Sequence, residues 1–157
     1  MNTFKSKGIE IKKNNVDITV SIFDILEEIP NPEHVFWTIR CLDIQGYHGD
    51  SSLLQEVKSG ISEPLGHEIS WPNLIDFCEG VDSFIWLILV GTENKEELRP
   101  YQSDLERYES SSYNIEVFDG WLWDVFSLNM QFIERLSEKF INTRPIYPDE
   151  TADWQRY

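Results

Sequence analysis

At 157 residues, with 41% hydrophobic and 13% aromatic side chains, the chain is long and apolar enough for one domain with its own core. That excludes a disordered segment and a fold that depends on disulfide or metal staples. Twenty-eight acids against thirteen bases give a formal charge of −15, which argues against nucleic acid and anionic membrane surfaces as direct ligands.

Strand signals come first. Ile9 and Ile11 precede the polar stretch Lys12-Lys13-Asn14-Asn15, after which Val16, Ile18, Val20 and Ile22 alternate with polar residues. Period two with β-branched residues predicts a hairpin here. Pro30-Asn31-Pro32 breaks the chain, and Val35, Trp37, Ile39 and Cys41 then mark a second long strand ending near Asp43. A loop over Gln45–Asp50 leads to a short helix of about two turns, where Ser52 and Gln55 have capping-box spacing and Gly60 stands at the C-terminal end. Ser70-Trp71-Pro72 opens another helix, with Leu74, Ile75, Phe77, Cys78 and Val81 on one stripe.

Phe84 to Val90 is nearly all apolar and reads as the central strand, buried on both faces. Residues 92–112 are polar, with a short exposed helix predicted over Ser103–Glu109. Ile115 and Val117 face Trp121, Trp123 and Val125 across Asp119-Gly120, a dipeptide suited to a two-residue hairpin turn. Phe132, Ile133, Leu136 and Phe140 give a last helix from about Leu128 to Ile141. Residues 1–144 are thus expected to form a single α+β domain, an antiparallel or mixed sheet with helices packed mainly on one face. Residues 145–157 are expected to be an acidic, largely irregular tail, with Trp154 and Tyr157 as further aromatic anchors.

Cys41 and Cys78 lie far apart in apolar runs, outside any zinc-ligand spacing, and read as reduced buried thiols. The N-terminal residues lack the apolar stretch of a signal peptide, and the longest apolar run has seven residues against the ~20 needed to span a bilayer. The expected location is the cytoplasm.

No nucleotide-binding loop, nucleophile elbow or metal-binding spacing is present, so neither cofactor nor metal is expected. The loop Gly46–Ser52 gathers the few reactive side chains. There His48 beside Asp50 can serve as a general base, although Asp50 and Ser51 serve equally well as helix caps. This is the weak catalytic candidate, and it belongs to an alternative reading as an enzyme or small-ligand protein; a regulatory scaffold domain is a further alternative. A binding surface is the main reading. The acid excess is uneven, with nine acids and six bases in residues 1–60 and nineteen and seven in residues 61–157. The second part holds Asp104, Glu106 and Glu109 on the exposed helix. It also holds Trp121 and Trp123 rimmed by Glu116, Asp119 and Asp124, which has the anatomy of a binding hot spot.

In size, acid excess, α+β pattern, aromatic richness and lack of a catalytic signature, the chain resembles bacterial toxin-immunity proteins. The resemblance implies a non-enzymatic protein that blocks a cognate toxin, often a basic nuclease. An acidic face would capture the toxin and aromatics would slow its release.

Overall fold

The computed structural model describes residues 7–12 and 20–151. One seven-stranded antiparallel sheet organises them, built from β1 (Lys7–Lys12), β2 (Phe36–Tyr47), β3 (His67–Ile69), β4 (Val81–Thr92), β5 (Tyr113–Phe118), β6 (Leu122–Ser127) and β7 (Thr143–Ile146). Their order across the sheet is β3-β2-β4-β5-β6-β1-β7. With six α-helical segments, α1 (Ile22–Leu26), α2 (Ser51–Gly60), α3 (Trp71–Gly80), α4 (Asp104–Ser110), α5 (Met130–Lys139) and α6 (Pro148–Thr151), the architecture is α+β, as the sequence pattern implies.

The two sheet faces differ. Ile9, Val125, Ile115, Leu89 and Ile39 stand opposite one another in register across five strands, and all belong to the main core. Helices α1, α2, α3 and α5 contribute to this core through Ile25, Leu26, Val57, Leu74, Phe77, Phe132 and Leu136. Side chains that alternate with these point to the second face. There α4 lays Tyr108 on Phe126, ring centroids 4.2 Å apart, and Ile146 joins them in a smaller cluster. Most of the helical packing is therefore on one face, and α4, with the short α6 beside it, is the exception.

Several elements differ from expectation for identifiable reasons. The described neighbours of β1 are not the local hairpin arm expected from the sequence: β6 lies along one edge and β7 along the other. Ile22, assigned there to a strand, instead enters α1, whose Ser21 cap accepts from Phe23 N–H and whose Asp24 accepts from Ser21 N–H. Val16 and Ile18 lie outside the described residues. The second long strand continues to Tyr47, past two register irregularities at Arg40 and Ile85. Helix α2 runs ten residues rather than two turns, and its N-cap is Asp50 rather than Ser52. Helix α3 does begin at Ser70-Trp71-Pro72, where the Ser70 hydroxyl accepts from Asn73 N–H.

The β5–β6 connection departs from the expected two-residue loop. Asp119 and Gly120 both have positive φ (54° and 76°) and Trp121 N–H donates to Phe118 O, but the ladder resumes one residue later, at Phe118 opposite Leu122. Trp121 is therefore left outside the ladder. The tail also differs: Pro145 and Ile146 belong to β7, which pairs with β1, and Pro148–Thr151 is helical beside α4. Trp154 and Tyr157 lie outside the described residues. No helix among the described residues is long and apolar enough to cross a membrane.

Candidate functional site

The sequence-selected acids of the second half are mostly engaged within the fold. On α4, Asp104, Arg107 and Tyr108 share the inward side, as a spacing of three and four residues dictates. Arg107 donates through Nη1 to Asp104 (3.0 Å) and through Nε to Asn114 (2.9 Å), and it forms an ion pair with Glu116. Tyr108 hydroxyl donates to the other Glu116 oxygen at 3.1 Å. Burial is the largest single influence on Arg107 and opposes its charge, yet Glu116, Tyr108 and Asp104 together outweigh it and raise the guanidinium pKa. Burial and then the same carboxylate also push the Tyr108 phenol up. Glu106 is held by Gln102 N–H and by Arg99 (3.0 Å to Nε), which lower its pKa in that order.

Burial takes three of the expected contact residues out of a partner's reach. Glu116 and Asp124 are fully buried in one cross-strand row with Glu10, and Trp123 belongs to the core. The two acids expected to rim the tryptophans alternate with core residues along β5 and β6, and α4 covers the face they occupy through Arg107 and Tyr108. Glu109, Asp119 and Trp121 do remain exposed. The signal that this face is covered lies in α4 itself, where Arg107 and Tyr108, three and four residues after Asp104, interrupt an acidic segment as an inward stripe.

A different surface carries accessible charge. The end of β2, the Asp50 cap, α2 and α3 enclose a cleft of about 610 Å³ lined by His48, Asp50, Glu56, Asn73, Asp76 and Glu79, among others. Residues 73, 76 and 79 repeat every three positions, so they line one side of α3 while Leu74, Phe77 and Cys78 turn to the core. Ser52 and Glu56 are set four apart on α2 by the same geometry. Among the described residues no lysine or arginine lines the cleft, and no ion pair engages Glu56, Asp76 or Glu79.

The cleft floor depends on close backbone approach. Gly49 and Gly80 face each other beside Tyr47, and a Cβ on Gly80 would fall 2.9 Å from Gly49 Cα and 2.7 Å from the Tyr47 ring. His48 N–H donates to Gly80 O (2.8 Å), and Tyr47 hydroxyl donates to Asp50 O (2.9 Å). Only glycines allow the β2 end and the α3 end to meet here.

The His48–Asp50 pairing considered from sequence does not form. Asp50 accepts from Ser52 hydroxyl (3.0 Å) and Ser52 N–H (2.8 Å), which lower its pKa in that order, while His48 Nδ1 lies 2.8 Å from Asp82 Oδ1. Such a pair can fix one imidazole tautomer. Among the described residues, however, no hydroxyl or thiol is hydrogen-bonded to His48, so no nucleophile–base pair is assembled. No group of three or more His, Cys, Asp or Glu among the described residues is arranged to hold a metal ion. Burial pushes the Cys78 thiol up to about 12, and burial also raises Cys41, so neither has the character of a reactive thiolate.

Comparisons of the chain with protein-family models, with curated proteins and with solved structures find no match.

Proposed function

We propose that this chain is a binding protein that captures a basic protein partner through the acidic cleft between α2 and α3, in the manner of an immunity or inhibitor protein. The observation that carries this reading is the set Asp50, Glu56, Asp76 and Glu79 lining one concave surface on which no lysine or arginine is found among the described residues. Carboxylates crowded in a cleft reinforce one another's field, and a net charge of −15 draws a cationic partner from a distance. A lysine or arginine loop entering the cleft would exchange water for several charge-assisted hydrogen bonds. The partner-binding acids move from α4, where Asp104 and Glu106 already have cationic partners, to α2 and α3.

The test is capture from the native cell with the wild-type chain and with the variant Glu56→Gln/Asp76→Asn/Glu79→Gln. The wild type is expected to retain a basic protein, release it as salt rises, and suppress its activity when the two are mixed. The variant, which leaves the Asp50 cap intact, should lose that protein while keeping the wild-type circular dichroism and melting profile. Equal capture by both chains would refute the placement, and absence of any salt-sensitive partner would refute the function.

A further inference from the structure

We propose that the second face of the sheet, beside Tyr101, holds a binding site for a small carboxylate, with Arg40 supplying the charge and Thr92 and Asn114 further donors. The site shares no residue with the α2–α3 cleft and does not depend on the function proposed for it. Thr38, Thr92 and Asn114 alternate with core residues along β2, β4 and β5, so they share the second face. The register irregularity in β2 falls at Arg40, and its side chain reaches over that same face. There Arg40 Nε donates to the Thr38 hydroxyl (3.2 Å), and the guanidinium carbon lies 4.7 Å from the centre of the Tyr101 ring. Thr38 stands across from Val90, and Val90 across from Asn114. Thr92 is therefore the diagonal neighbour of both Thr38 and Asn114, about 7–8 Å from each.

The donors on this face are unmatched. Arg40 Nη2, Thr92 Oγ1 and Asn114 Nδ2 are buried with no hydrogen-bond partner among the described residues. Thr92 and Asn114 are fully buried. Arg107 Nε donates to Asn114 Oδ1 (2.9 Å), which fixes the amide so that Nδ2 is its remaining donor. An unmatched buried donor is unfavourable, more so when it is charged. A ligand rich in acceptors relieves all three groups at once.

Charge decides between a neutral acceptor and an anion. Arg99, whose guanidinium carbon lies 5.2 Å from the same Tyr101 ring centre, pairs with Glu106, and Arg107 pairs with Asp104 and Glu116. Arg40 forms no ion pair among the described residues. Burial opposes its charge most, Tyr101 supports it, and Arg107 opposes it again, so its pKa is lowered. An anion against the guanidinium offsets both the burial and the repulsion. One uncompensated cation matches one negative charge, whereas the second charge of a phosphate would be set against Asp104, Glu116 and a chain already at −15. A carboxylate presents two acceptor oxygens in the plane of the guanidinium fork. Because Thr92 and Asn114 are fully buried, the fitting ligand is a free short-chain acid rather than a side chain on a protein surface.

Sodium acetate is the probe, exchanged for sodium chloride at constant ionic strength and neutral pH while 15N–1H spectra of the full chain are recorded. Saturable shifts are expected at the amides of residues 38–41 and 99–102 and at the Asn114 side-chain amide, with a matching rise in the urea midpoint. Arg40→Met should abolish saturation. Thr92→Val is isosteric and removes only the orphan hydroxyl, so it should keep the fold and weaken acetate roughly fivefold. The cleft variant Glu56→Gln/Asp76→Asn/Glu79→Gln should bind acetate as the wild type does. Shifts that never saturate, or that persist unchanged in Arg40→Met and Thr92→Val, would mean an adventitious ion only and overturn the site. Tighter binding of inorganic phosphate than of acetate would overturn the carboxylate assignment.

Discussion

In the α2–α3 cleft, Glu56, Asp76 and Glu79 reach solvent with no cationic partner among the described residues, whereas on the opposite face Arg107 holds Glu116 and Asp104 beneath α4. Both regions are acidic in sequence, yet they do different physical work. Under α4 a buried charge must be matched, because an unmatched carboxylate in a low-dielectric interior is very unfavourable. In the cleft, water solvates the carboxylates, and their mutual repulsion is a modest cost that a cationic partner would relieve. Acid count is thus a poor guide to a binding face; what matters is whether the fold has already supplied the counter-charge.

Removing charge should therefore affect stability unequally in the two regions. Arg107→Met leaves Glu116 buried without its guanidinium and should destabilise the chain by about 3–5 kcal/mol in urea unfolding, while Glu56→Gln should stay within about 0.5 kcal/mol. Similar losses for the two variants would erase the distinction between structural and accessible acids.

A smaller effect sharpens the comparison through pH. His67, on β3, has its pKa lowered chiefly by burial, against the pull of Glu56 and Glu68. The unfolded chain then takes up a proton at a higher pH than the folded one. Its contribution to stability is full above the unfolded value of roughly 6.5, begins to be lost as pH falls below that, and is gone below the folded value. Urea midpoints of the wild type should fall between pH 7.5 and 5.5 by more than those of His67→Gln. An equal fall in both would remove His67 as the cause.

Much of the fold was legible because its signals are local. Period-two apolar residues from Val35 to Cys41 mark β2, the Ser70-Trp71-Pro72 cap starts α3, and Ser103, whose hydroxyl accepts from Glu106 N–H, starts α4. Alternation around β1 points to a local hairpin partner, whereas its described neighbours, β6 and β7, come from the other end of the chain. Glu116 and Asp124 were misread for a related reason: alternation places them on the second face but cannot say that Arg107 and Tyr108 will cover it. The cleft was half visible. Asn73, Asp76 and Glu79 advertise a polar side of α3 by their spacing, but only packing against α2 turns that side into a concave surface. His48 was singled out beside Asp50, and the chain fold brought it to Asp82 instead.

The most direct test is a two-dimensional 15N–1H NMR titration of the full chain with deca-lysine at low salt. Amide shifts should concentrate on residues 48–56 and 73–80, collapse as salt is raised, and leave residues 104–109 of α4 nearly still. Shifts centred on α4, or spread evenly over every exposed acid, would contradict the assignment of the accessible charge to the α2–α3 cleft.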